Sequence, residues 1–97
     1  MVEHLVLFKL KPEATEAQVE AMFGGLRDLK AKIPGIVDLS VGRNFTDRGK
    51  GYEIGLTVRL GGRSELAEYL PHPAHQAVLA ELIRPIVAEV LAVDYEF

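Results

Sequence analysis

The elements legible in this sequence run strand, helix, strand, strand, helix, strand. That order predicts an α+β fold of the ferredoxin-like kind, β-α-β-β-α-β, with one four-stranded antiparallel sheet. Three observations carry the expectation. Apolar-rich runs at residues 2–10, 36–44 and 52–60 read as strands, and an apolar stretch closes the chain at 90–97. Apolar residues recur at helical spacing between residues 15 and 33, and again between 64 and 87. The glycine-bearing loop "TDRGKG" joins the second and third strands as an antiparallel hairpin. At 97 residues the chain reads as a single domain, residues 1–97.

The first strand places Val2, His4, Val6, Phe8 and Leu10 on one face and Glu3, Leu5, Leu7 and Lys9 on the other. Both faces are substantially apolar, so the sheet is expected to be covered on both sides. "TEAQ" then fits a capping box, with Thr15 at the N-cap and Gln18 at N3. Val19, Met22, Phe23, Leu26, Leu29 and Ile33 form the apolar stripe of the helix that follows, and "IPG" at 33–35 ends it. Gly24 and Gly25 interrupt this helix at about 1 kcal/mol each relative to alanine. Their purpose is either close packing of helix on sheet or room for a ligand.

The third strand aligns Tyr52, Ile54, Leu56, Val58 and Leu60 on one side. Ser64 is expected to cap a short helix carrying Leu66, Tyr69 and Leu70. Pro71 and Pro73 break it, and Pro73 suits the first turn of a longer helix. Val78, Leu79, Leu82, Ile83, Ile86 and Val87 form the apolar face of that helix, which Pro85 should kink or divide.

Composition excludes several classes. There is no cysteine, so disulfides and thiolate zinc sites are ruled out. A net charge of −3 gives no reason to expect nucleic acid binding, and Arg43, Arg48 and Lys50, interrupted by Asp47, read as a solvated loop. The N-terminus has no basic leader and no apolar run approaches membrane-spanning length, so no membrane association and a cytoplasmic location are expected. Two helices cover only one face of such a sheet. The other face calls for a second copy, sheet against sheet, in a two-fold homodimer.

Three side chains can meet on the helix-covered face: His4 from the first strand, Tyr69 from the short helix and His75 from the long one. Their meeting assigns Leu5 and Leu7 to the dimer side. With His72 as N-cap, His75 is N3 and shares a helical face with Leu79, Leu82 and Ile86. Burial and the positive end of the helix disfavour imidazolium there, leaving a neutral ring able to act as a general base. Tyr69 can donate a hydrogen bond to a carbonyl or enolate oxygen, and His4 can orient or polarise the same group. Val6, Phe8, Phe23, Leu26 and Leu79 are the expected lining of the pocket around them. The competing reading is a satisfied core hydrogen bond between an inward histidine and a tyrosine. No carboxylate stands at ligand spacing from the histidines, so no metal site is expected. An ion held by backbone carbonyls around Lys30, Ile33 and Ile36 stays open.

"HLVLFKLK", "IPGI", "SVGRN", "GYEIGLTVRL", "YLPHPAH" and "VDYEF", in that order along nearly the whole chain, resemble the stress-responsive A/B barrel (Dabb) domain family. The resemblance implies a dimeric α+β barrel and a functionally mixed family, many of whose members have no assigned activity. The first reading it supports is therefore a dimeric protein of unassigned activity, either a binder of a small hydrophobic or polyketide-like ligand or a stable oligomer. As an alternative, it implies a cofactor-free cyclase or lyase, because one plant member closes a linear polyketide by an aldol step. That enzyme's base matches His75, and its pocket tyrosine and histidine match Tyr69 and His4. Its further pocket tyrosine, on the first helix, is matched here by Leu26, so the same substrate is not expected. A third, weaker reading is a cofactor-free monooxygenase-like protein. None of these readings calls for a cofactor.

Overall fold

The computed structural model describes residues 1–97. Its elements are β1 (Val2–Leu10), α1 (Glu16–Lys32), β2 (Ile36–Arg43), β3 (Ile54–Leu60), α2 (Arg63–Tyr69), α3 (Pro73–Val78) and β4 (Val87–Glu96). A 3-10 turn (Asp47–Gly49) lies in the β2–β3 loop, and a π-helical turn (Leu79–Ile83) continues α3. The strands form one antiparallel sheet in the order β2-β3-β1-β4. This is the ferredoxin-like α+β fold expected from the element order. No helix is long and apolar enough to cross a membrane.

Local chemistry explains most of the boundaries. At the start of α1 the Thr15 side chain accepts from the Gln18 N–H, and the Gln18 side chain accepts from the Thr15 N–H at 2.9 Å. Two amides left without helical partners are thereby satisfied. Val19, Met22, Phe23, Leu26 and Leu29 of α1 are buried against the sheet. Opposite them, Ile54, Leu56, Val58 and Leu60 of β3 are at most 3% exposed.

Several boundaries differ from the sequence expectation. β3 begins at Ile54, so Tyr52 belongs to the loop. Gly62, not Ser64, is the N-cap of α2, and it makes no side-chain cap bond; the Ser64 hydroxyl is turned to the neighbouring Glu65 carboxylate. The long second helix ends sooner than its apolar periodicity suggested. In the π turn the Arg84 N–H reaches five residues back to the Leu79 carbonyl at 2.9 Å. Pro85 has no N–H to continue the ladder, so the helix stops. Ile86 is buried in the turn, and its carbonyl accepts from Lys11 N–H at 2.7 Å. β4 therefore starts at Val87 rather than at residue 90.

The glycine pair divides. A Cβ on Gly25 would lie 2.4 Å from Leu82 Cδ1, whereas one on Gly24 would meet nothing within 4 Å. Gly25 thus lets α1 approach the π turn, a contact of helix on helix rather than helix on sheet. The helices cover one sheet face only. On the other, Leu91, Val93 and Tyr95 of β4 are 44%, 47% and 50% exposed.

Candidate functional site

β1 turns His4, Val6 and Phe8 towards the helices, each at most 6% exposed. α2 ends at Tyr69, whose side chain is completely buried. The chain then turns through Pro71, and His72 caps α3: its Nδ1 accepts from the Ala74 N–H at 3.1 Å. That cap sets His75 at N3, facing inward and 8% exposed. The three rings meet. Tyr69 lies 4.4 Å from His75 between centroids, and 5.7 Å from His4 in an edge-on arrangement.

They border a cavity of about 180 Å³ whose twelve lining residues include ten hydrophobic ones. Val6, Phe8, Leu26 and Leu79 are in its wall, as are Leu56, Ile83, Val90 and Ala92. Phe23 is not. α1 turns it towards β2, under the guanidinium groups of Arg27 and Arg43 at 5.6 and 5.7 Å, and away from the β1–β4 side where the cavity lies. The wall is incomplete at Leu70 and Val90, which are 40% and 54% exposed.

The hydrogen bonds assign roles to the ring nitrogens. His75 Nδ1 sits 2.8 Å from the Leu70 carbonyl. A carbonyl only accepts, so Nδ1 carries the proton and Nε2 is left with a free lone pair. Burial, above all, pushes the His75 pKa below its usual 6.5, and the neighbouring His4 and His72 act in the same direction, against the opposing Leu70 hydrogen bond. The ring is therefore neutral near pH 7. His4 Nδ1 is bonded to the Asp94 carboxylate, which arrives from β4 directly opposite in the register. A partner of this kind fixes the tautomer and the orientation of an imidazole.

Tyr69 is different. Its hydroxyl is fully buried and has no hydrogen-bond partner. Burial raises its pKa to about 12, so it is a neutral donor. The sequence alternative of a satisfied tyrosine–histidine core bond is thus not what the structure contains. Asp94 is the member of this constellation that sequence reasoning missed; only the β1–β4 register brings it opposite His4. No group of three or more potential ligands clusters to hold a metal ion. Where the first helix ends, the Ile33 carbonyl is occupied by the Ile36 N–H at 3.3 Å.

Fold and site together define a small ferredoxin-like α+β domain with a single-ring-sized apolar cavity, an unpartnered phenol and two oriented imidazoles. The chain belongs to the stress responsive A/B barrel domain family, whose profile matches residues 2–97. An uncharacterised protein of Streptomyces coelicolor is 36% identical over 99 residues, covering all of both chains. Olivetolic acid cyclase of Cannabis sativa is 32% identical over 96 residues, which are 97% of this chain and 94% of the cyclase. Among solved structures, a dimeric ferredoxin-like protein of unknown function from Thermobifida fusca is 29% identical with a TM-score of 0.87, over 99% of this chain and 90% of that one.

Proposed function

We propose that the chain acts as a homodimer in which each protomer binds a small, largely apolar ligand carrying a carbonyl-type oxygen. The observation that carries this reading is the Tyr69 hydroxyl, buried and unpaired beside an apolar cavity. Leaving such a group unsatisfied costs about 1–3 kcal/mol, which an acceptor oxygen on a ligand would recover. The cavity exceeds the roughly 150 Å³ known to admit a benzene ring, and the half-exposed Leu70 and Val90 let a tail leave it. Dimerisation is supported by the uncovered apolar sheet face and by the dimeric Thermobifida neighbour. The test is calorimetric titration with a short alkyl β-diketone. Tyr69→Phe should weaken binding about tenfold, the loss of one hydrogen bond. Equal affinity of both forms would remove the phenol from the site.

A second reading rests on the free Nε2 of His75. With Nδ1 held by Leu70, this nitrogen is a general base beside the Tyr69 donor, the pair needed to remove a proton next to a carbonyl and hold the enolate oxygen. The chemistry is then of the aldol cyclase or lyase type, as the similarity to olivetolic acid cyclase suggests. His75→Ala should abolish turnover in a screen of poly-β-keto substrates while leaving the circular dichroism unchanged. Undiminished turnover would remove His75 as the base.

A further inference from the structure

We infer that Gly25 limits the site to a ligand with one unfused ring. It does so from outside the cavity, by fixing how closely the π turn lies against α1. This rests on the ligand reading above and names what sets the size of that ligand.

The contact joins a residue without a side chain to a bulky one. A Cβ on Gly25 would overlap Leu82 Cδ1, and would also stand 3.7 Å from Val78 Cγ2 and 3.9 Å from Leu82 Cγ. A turn of the Leu82 side chain makes room for one methyl group. It does not make room for a longer side chain, because Val78 is itself buried. Glycine is a poor residue for the interior of a helix, and no positive φ calls for it at this position. What it supplies is the close approach of the π turn.

Neither Gly25 nor Leu82 lines the cavity, but their neighbours do. Leu26 follows Gly25 on α1, and Leu79 and Ile83 share the π turn with Leu82; all three are in the wall. The Gly25–Leu82 contact therefore sets how far α1 stands from the turn, and with it the width of the cavity on its helix side. At that width the volume is about 180 Å³, against the roughly 150 Å³ that admits one benzene ring. A second, fused ring needs the wall to move. Of the two elements the turn is the one that gives way. α1 is anchored on the sheet by Val19, Met22, Phe23 and Leu29. The turn is held by the wide bond from the Arg84 N–H to the Leu79 carbonyl, and Pro85 behind it has no N–H to add. A wedge at residue 25 thus parts Leu26 from Leu79 and Ile83.

The test compares calorimetric affinities for benzoylacetone, a β-diketone with one ring, and for its naphthyl analogue. The unmodified chain should bind the one-ring ligand about tenfold more tightly or better. Gly25→Leu should bring that ratio to about unity or invert it, and Leu82→Ala added to it should restore the preference. Gly24→Leu is the control, since a Cβ there meets nothing within 4 Å, and should keep the native ratio. Leu82→Phe wedges the same contact from the other side and carries the test where Gly25→Leu does not fold. Three results overturn the inference while leaving the ligand reading standing: no preference in the unmodified chain, a native ratio in the folded wedge variant, or the same shift in Gly24→Leu. The ligand reading has its own arm. Equal affinity of Tyr69→Phe and the unmodified chain for benzoylacetone, or no binding of either diketone, overturns that reading and this inference with it.

Discussion

The two faces of the sheet use alternate residues of the same strands, yet only one is finished within the chain. On the helix side of β1, His4, Val6 and Phe8 are at most 6% exposed, and what stays incomplete is one hydroxyl and a cavity. On the other side of β1 and β3, Leu5, Leu7, Gly55 and Thr57 are only half-buried, while the edge strand β4 is exposed on both faces. The first deficiency is the size of a small molecule, and the second is the size of a sheet. Alternation along a strand serves both faces equally; what differs is the layer each one meets.

The sharpest way to break this contrast is to truncate one leucine on each face. Leu56→Ala, in the buried wall, should cost about 2–5 kcal/mol of folding stability at every protein concentration. On the proposed dimer, Leu5→Ala should act through the concentration-dependent part of the unfolding curve, because its open-face neighbours would come from a second molecule. Denaturant titrations at two protein concentrations decide it, and identical concentration dependence for both variants would erase the distinction.

A smaller effect, of the opposite sign, is expected at the tyrosines. Tyr69→Phe removes a buried hydroxyl without a partner and should stabilise the ligand-free protein by about 1–3 kcal/mol. Tyr95→Phe, half exposed on the open face, should change stability by less than about 0.5 kcal/mol. A clear destabilisation by Tyr69→Phe would mean that the hydroxyl has a structural partner, and the ligand reading would lose its support.

The smallest effect is on pH dependence. The folded state disfavours protonated His75, holding its pKa below 6.5, so the unfolded chain binds more protons in the window beneath that value. This contribution to stability is complete above pH 6.5 and is lost as the pH falls towards the folded pKa. His75→Gln should flatten that segment of the stability–pH curve measured by thermal melts, and an unchanged slope would show that His75 does not cause it.

Much of the fold was legible because its signals are local. The Thr15–Gln18 box, the His72 cap with Pro73 behind it, and the period-two pattern of β3 each act within a few residues. The end of the second helix was less legible, because Ile86 and Val87 continue the apolar spacing of Val78, Leu79 and Ile83. Only the loss of the Pro85 amide and the docking of Lys11 onto the Ile86 carbonyl divert the chain into β4. Phe23 shares the α1 stripe with Leu26, and the stripe by itself points both to the pocket. A stripe does not say which strand lies below it, and Phe23 meets Arg43 of β2.

By itself the sequence determined the element order, the caps, the inward setting of His75 and the assignment of His4, Val6 and Phe8 to one face, because these follow from spacing and from short-range hydrogen bonding. Only the tertiary structure decided that Asp94 holds His4 and that Tyr69 keeps an unpartnered hydroxyl beside a cavity. The first depends on the register of β1 with β4, the second on how the helices dock on the sheet. Register is fixed by the packing of the whole sheet, not by the pattern of any one strand.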